Sequence, residues 1–511
     1  MGNVRTDISD KSSRIAKNTA ALYFRMIFLM LIGLFTSRVI LRNLGIVDYG
    51  IYNAVGGFVA MFSVISASLS SAISRFITYE MERPESRQSA VFSSSLSTLI
   101  LIAAVIVVLA ETVGLWWLHS KMVIPDSRMA VAGWVFQLSL VSFVIQLVSV
   151  PYNASIIAHE KMDAFAYIGI VEGLLKLAVA LAIAFSSFDK LIFFAVLMCL
   201  VSLIVRFLYG YYCRLHFSET KYTWSFDRGI FKEIFAFAGW NFIGSGALIL
   251  RDQGGNQLLN IFFGPVANAA WGVAAQVNNM VQKFVTSFTT ALNPQIIKSY
   301  ATGDRDYMDK LVFKGSKISL FLLLVVACPL IYNADFLTRL WLGADVVPDN
   351  SVLFIRLVLV CSLVDSVSFP LITALNATGN IRNYQLLVGG MLLMNLPIDY
   401  ILLKSGAPGY VIYVVAIAIA FFCLAGRLYE LRKLMGFNVG SFMKTTLSTE
   451  FLVALLSFSL PYVLSRLMPL DVWWGFIVHA VFSVIWTSMC VLFVGFTKSE
   501  RNQVTAKLFR R

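Results

Sequence analysis

Apolar runs of about 20 residues, separated by short polar or Gly/Pro-containing turns, recur from one end of this 511-residue chain to the other. A hydrocarbon layer about 30 Å thick demands segments of that length, and it demands that they be helical, because a helix satisfies its own backbone N–H and C=O groups. The runs predict about 14 spans, the first near 18–41 and the last near 472–496. Connections such as Ser186 to Lys190 and Lys404 to Ala407 leave no room for a soluble domain. Only 14% of residues are charged and 58% are hydrophobic, against roughly 25% charged in a soluble domain. The fold class is therefore an all-α polytopic membrane protein. The N-terminal MGNVRTDISDKSSRIAKNTA is polar and the apolar run behind it is too long for a signal-peptide core, so that run is expected to stay as the first span.

The net charge of +13 follows membrane topology and gives no reason to expect a nucleic-acid partner. With the N-terminus inside, roughly 28 Lys and Arg fall in tails and loops on that side and roughly 8 on the other, which predicts both termini in the cytoplasm. The richest inner loops are Arg206 to Lys232 and Lys298 to Lys317. The six cysteines lack CxxC or Cys/His spacing and read as buried thiols, with no metal and no disulfide framework expected. No P-loop, nucleotide fingerprint or His/Glu metal motif is present, so neither enzyme chemistry nor a cofactor is expected.

The stretch Trp240 to Pro294 carries Arg251, Asp252 and Lys283 inside two apolar helices. It also repeats an earlier one: at an offset of 219, Leu259, Gly264, Trp271 and Thr290-Ala291-Leu292 fall on Ile40, Gly45, Tyr52 and Ser71-Ala72-Ile73. Two such halves predict a transporter built by duplication, with its site between them. A cation at the bilayer centre costs roughly 2.5 to 3.5 kcal/mol, so intramembrane cations normally face a cavity, a partner or a substrate. Five are expected within spans: Arg25, Lys176, Arg251, Lys283 and Arg356. Arg25 and Lys283 lie at comparable depth, roughly 10 to 12 Å from the inner face, and Arg251 would extend the track. Forked guanidinium and compact ammonium groups together suit a pyrophosphate. Arg25, Arg251, Lys283 and Lys176 are the candidate substrate contacts. Lys176 has a structural alternative, an ion pair with Glu172 one helical turn away, and Arg356 has another, snorkelling to the nearby boundary. Asn241, Asn256, Asn278 and Gln282 suit a wet, sugar-compatible cavity, with helix-to-helix bonding as the alternative. Asp365 and Glu172 are the candidates for a coupling acid, and Asp365 could instead neutralise Arg251 or Lys283.

The hairpin SRVILRNLGIVDYGIYNAVGGFVAMFSVISASLSSAISRFI, the stretch RDQGGNQLLNIFFGPVANAAWGVAAQVNNMV followed by LNPQIIKSYATGD, and the patch LITALNATGNIRNYQ resemble the polysaccharide flippases of the multidrug/oligosaccharidyl-lipid/polysaccharide exporter superfamily. The resemblance covers nearly the whole chain in span number and half length. It implies two pseudo-symmetric, MATE-like six-helix bundles plus two C-terminal helices, enclosing a cationic cavity. On this chain the bundles would be 18–232 and 233–426, after a tail at 1–17. A basic linker at 427–446 would lead to the extra helix pair and tail at 447–511. The resemblance also implies that undecaprenyl-pyrophosphate-linked oligosaccharide repeat units cross from the inner to the outer leaflet of a bacterial inner membrane by alternating access. Arg25, Arg251 and Lys283 occupy the kind of position where such flippases keep pyrophosphate-binding cations. Expected partners are the lipid-linked oligosaccharide, membrane lipids, and a polysaccharide polymerase with glycosyltransferases; a monomer is expected. The alternatives are a cation-coupled multidrug exporter, which would favour acids in its cavity, and a non-transporting scaffold for glycan assembly.

Overall fold

The computed structural model describes residues 2–63, 65–66, 69–70, 73, 77, 88–159, 161–222, 227–498 and 500–502, with the backbone alone described for 2–27 and most of 228–245. Every described element is helical. Among the described residues, 11 helices are long and apolar enough to cross a membrane. Two further helices, of 36 and 37 residues, stand where the seventh and eighth spans were expected, which is compatible with fourteen. The chain divides into two compact units, Met1–Ala269 and Ala270–Arg511.

The first unit contains α1 (Gly2–Ala60), α2 (Gln88–Ser120), α3 (Asp126–Ala158), α4 (Met162–Ile183), α5 (Lys190–His216) and α6 (Arg228–Phe263). Its core is built from Ile51, Val55, Leu99, Ile106, Phe136 and Leu147. Helix α1 carries the first expected turn as a kink at Gly45, φ +81°. Gly264, which the 219-residue offset superposes on Gly45, has φ +72° and ends α6. Both glycines hold a backbone conformation that L side chains resist. The two corners also touch, since a Cβ on Gly50 would stand 1.8 Å from the Pro265 carbonyl oxygen.

This unit extends through Ala269, past the expected 232/233 boundary. The cause lies in α6. Asn256 and Gln257 donate to the Asn53 and Ala54 carbonyl oxygens of α1 at 2.9 and 2.7 Å. Asn260 accepts from the Val123 N–H at 2.8 Å. These bonds fasten α6 to the helices that precede it.

The second unit contains most of α7 (Pro265–Ala301), then α8 (Arg305–Tyr332), α9 (Ala334–Leu342), α10 (Ser351–Val367), α11 (Phe369–Ala377), α12 (Arg382–Leu393), α13 (Asn395–Lys404), α14 (Val411–Met435), α15 (Val439–Leu467) and α16 (Trp473–Gly495). Two expected spans are broken helices: α10 gives way to α11 just before Pro370, and α12 to α13 just before Asn395-Leu396-Pro397. Proline fits a first helical turn and stops the preceding helix.

No surface linker occupies 427–446. Helix α14 continues to Met435 and ends at Gly436 in the left-handed region, and α15 starts three residues later. Leu428, Leu431, Phe437 and Phe442 are buried, so packing carries the helix past the point where charge suggested a linker. Arg427 is buried as well and donates to the Ser368 hydroxyl at 2.9 Å.

Candidate polar chamber and cation sites

The unit-one candidate site follows from where α4 places its charges. Glu172 and Lys176 are one turn apart on the same helix face, and they form an ion pair at 2.6 Å. Gly173 lets α4 close on α1, because a Cβ there would meet Leu29 Cδ2 at 2.4 Å. The pair lines a chamber of about 370 Å³ together with Ser63, Ser66, Gln146, Ser149, Asn153 and Tyr209. A smaller space of about 210 Å³, bounded by Tyr52, Gly56, Ser139 and Ser142, shares Ser63, Gln146 and Ser202 with it. The Asn153 amide oxygen is buried and has no hydrogen-bond partner among the described residues. The chamber is therefore polar and balanced in charge, and it offers an acceptor. Lys176 and Glu172 act there as a couple, the structural alternative weighed for Lys176.

Arg251 lies on α6, with its Nε donating to Asp252 Oδ1 at 2.9 Å. Neighbouring helical residues point about 100° apart, yet these two long side chains bend together. The Arg251 side chain is 14% exposed and that of Asp252 54%. Asn256 is fully enclosed, bonded to Asn53 and accepting from Asn268 at 2.7 Å. Its amide is taken up in joining helices. Gly57 makes this approach possible, since a Cβ there would stand 2.5 Å from Asn256 Nδ2.

In the second unit, Asn278 and Gln282 of α7 both bond the Ser362 hydroxyl of α10: Ser362 donates to Asn278 Oδ1, and Gln282 Nε2 donates to Ser362 at 3.0 Å. Asp365 is one turn beyond Ser362, and Lys283 adjoins Gln282. The Lys283 side chain is exposed, and neither it nor Asp365 stands without an interaction. Arg356 donates its Nε to the Ile331 carbonyl oxygen at 3.0 Å, capping the end of α8. The side chains of Arg25 and Asn241 lie outside the described residues. Arg251 and Lys283 belong to different units.

Two constellations escaped the sequence reading. Arg128 grips Asp48 through Nε at 2.8 Å and Asp189 through Nη1 at 2.5 Å, joining the α1 corner, the start of α3 and the N-cap of α5. Burial works to raise the Asp189 carboxyl, but hydrogen bonds from Arg128 and from the Ile192 and Leu191 N–H groups hold it below its ordinary value. The signal was an Asp directly before the run Lys190-Leu191-Ile192, an N-cap position. The second constellation gathers Arg206, Arg214 and Lys221 around one pocket, residues that had served only to orient the chain. Among the described residues, no three His, Cys, Asp or Glu side chains gather as a metal site. All six cysteines are buried thiols outside any disulfide.

Two helical units of this kind, with a polar chamber inside apolar helices, define a multi-span membrane transporter. The polysaccharide biosynthesis protein family matches residues 15–300, and the MatE family matches 257–401. The chain thus belongs to the polysaccharide biosynthesis protein family, within the multidrug/oligosaccharidyl-lipid/polysaccharide exporter superfamily. It is similar to the uncharacterized membrane protein EpsK of Bacillus subtilis strain 168, with 20% identity over 361 residues, covering 69% of this chain and 70% of that protein. Its fold is similar to that of the lipid II flippase MurJ in an inward closed conformation, with a TM-score of 0.69 and 13% identity, covering 93% of this chain and 98% of that one. It is also similar to that of a mutant of the Vibrio cholerae MATE transporter VcmN, with a TM-score of 0.59 and 18% identity, covering 84% of this chain and 98% of that one.

Proposed function

We propose that this transporter is a flippase for undecaprenyl-pyrophosphate-linked oligosaccharide repeat units, moving them from the inner to the outer leaflet of a bacterial inner membrane by alternating access. The observation that carries the reading is Lys283: an exposed ammonium in mid-helix α7, beside amides that tie α7 to α10, in a chain of the polysaccharide biosynthesis family. Such a cation is tolerated within apolar helices where it meets water or an anion. Arg25 and Arg251 supply forked donors suited to pyrophosphate, and Asn241, Asn278 and Gln282 offer amides suited to sugars. Lys176 acts with Glu172 in the unit-one chamber. The fold likeness to a lipid II flippase supports a lipid-linked cargo. Both termini lie in the cytoplasm, a polymerase and glycosyltransferases act alongside, and the chain works as a monomer.

The test is leaflet exchange of a fluorescent undecaprenyl-pyrophosphate oligosaccharide in vesicles holding the purified chain. Arg25→Gln with Lys283→Gln is expected to reduce exchange to the level of empty vesicles while folding and insertion persist. Wild-type exchange from the double variant would sink the assignment, and no exchange by the wild type would favour a scaffold.

A second reading, a cation-coupled exporter, is favoured by the MatE match over residues 257–401. It requires a carboxylate that changes partners during the cycle, with Glu172 and Asp365 as the candidates. Glu172 is held by Lys176 at 2.6 Å, which weakens that reading. Exchange that is indifferent to a proton or sodium gradient would remove it.

A further inference from the structure

A pocket of about 540 Å³ lies at the end of α3 and α5 that the charge count assigns to the cytoplasm, apart from the unit-one chamber. That volume falls within the roughly 300 to 1,000 Å³ typical of ligand sites. Among the described residues three cations line it, Arg206, Arg214 and Lys221, and no carboxylate does. Glu219, beside Thr220 of the lining, is taken by His159 Nε2 at 2.5 Å, and that imidazole stacks on Phe217. Like charges gathered this closely repel one another unless an anion sits among them.

The pocket is built. Arg206, Gly210 and Arg214 recur every fourth residue and so share one face of α5. The Arg206 guanidinium lies over the Tyr152 ring, 3.8 Å from its centroid. It fills the room left by Gly210, where a Cβ would stand 2.7 Å from Arg206 Nη1. Stacking fixes the plane of the fork and leaves its N–H edge to face a ligand. Tyr222, over the other side, is tied to α2 by a 3.0 Å hydrogen bond between its hydroxyl and that of Ser97. The rim is apolar: Phe207 and Tyr211 stack on each other and are 68% and 56% exposed. Exposed aromatic rings next to cations mark the level where a bilayer meets water.

We infer that this pocket seats the phosphodiester headgroup of an anionic phospholipid, with Arg206 and Arg214 on the phosphate oxygens, Lys221 adding charge, and the acyl chains leaving past Phe207 and Tyr211. Basic pockets on the cytoplasmic side of membrane helices suit such headgroups. The aromatic rim selects a lipid over a soluble anion of the same chemistry.

The full-length protein, purified and stripped of lipid in detergent, is titrated with dioleoyl phosphatidylglycerol, with dioleoyl phosphatidylcholine and with inorganic phosphate. Retention is read by native mass spectrometry and stabilisation by the unfolding midpoint. Phosphatidylglycerol is expected to be retained and to raise the midpoint, and phosphatidylcholine is not. Arg206→Gln with Arg214→Gln should weaken phosphatidylglycerol by about tenfold or more, the loss of one charge-assisted hydrogen bond or more. Gly210→Ala keeps every charge but displaces the guanidinium, and it should weaken binding as well; this variant carries the test if the double variant does not fold. Equal effects of the two lipids, or unchanged affinity in Gly210→Ala, would overturn the site. Inorganic phosphate stabilising as strongly as phosphatidylglycerol would overturn the lipid.

Discussion

Arg128 binds two carboxylates that lie 80 and 61 residues away in sequence, and three helix ends depend on that one side chain. The side chains are 24%, 17% and 30% exposed, so the clamp is worth more than a surface pair and less than a buried one. Arg128→Ala should cost roughly 1 to 3 kcal/mol, read as a lower unfolding midpoint in detergent, while Arg339→Ala, which breaks a largely exposed pair, should leave it nearly unchanged. The pH dependence has a definite sign. Asp189 sits below its ordinary value of 3.8, so its stabilisation is complete above that pH and is lost as pH falls through the lower folded value. Glu500 behaves alike: burial works against it, but bonds from Thr497 and the charges of Lys317 and Lys314 hold it below 4.5. A midpoint that stayed flat from pH 5 to pH 3 would contradict this account. Beyond the N-cap position of Asp189 the clamp was not legible beforehand, because pairings this distant leave no periodic trace. Lys176 with Glu172 was legible, since one helical turn separates them.

At the scale of elements, glycines and prolines decide how closely the helices approach. Gly50 permits a backbone oxygen to enter the space of a Cβ, whereas a Cβ on Gly133 would meet nothing within 4 Å. Gly50→Ala should therefore lower the unfolding midpoint by the equivalent of about 1 to 3 kcal/mol, the usual cost of overpacking, and Gly133→Ala should not. Tryptophan fluorescence during heating reads both, and equal midpoints would sink the close-approach argument. Apolar period and length made the spans readable, but the breaks at Pro370 and Pro397 inside two of them were not read. The end of the first unit was not readable. Asn256 and Gln257 look the same in sequence whether they face a sugar or the carbonyls of α1, and only packing decides. The extension of α14 through Arg427 escaped for a similar reason: its charge suggested a surface, but Ser368 supplies a partner inside.

At the scale of the whole molecule, the question is whether the last two helices are an appendage. Pro461 of α15 has no N–H, which frees the Ser457 backbone oxygen one turn before it, and a bare carbonyl is costly in a membrane. Other helices meet that oxygen and three of its neighbours. The Cys328 thiol donates to the Ser457 oxygen at 3.4 Å, the Tyr332 hydroxyl to Phe458 at 2.7 Å and the Trp486 ring N–H to Leu456 at 2.8 Å. His479 Nε2 donates to the Pro461 oxygen at 3.0 Å, while its Nδ1 accepts from Asn333 at the same distance. Cys328 and Tyr332 lie in α8 and Asn333 just beyond it, so α15 and α16 share with the second unit a polar seam in which His479 is fully buried. The chain should not survive as a twelve-span transporter. Truncation after Met435 strips partners from Cys328, Tyr332 and Asn333, and the shortened protein is expected to aggregate or to unfold well below the full chain. His479→Leu, which removes the donor to the Pro461 oxygen and the acceptor for one Asn333 N–H, should lower the midpoint by about 1 to 3 kcal/mol. His479→Gln, which restores a donor and an acceptor, should recover part of that loss. A monodisperse truncated protein with the midpoint of the whole would show that the seam is dispensable and that the final pair was added to a unit already complete.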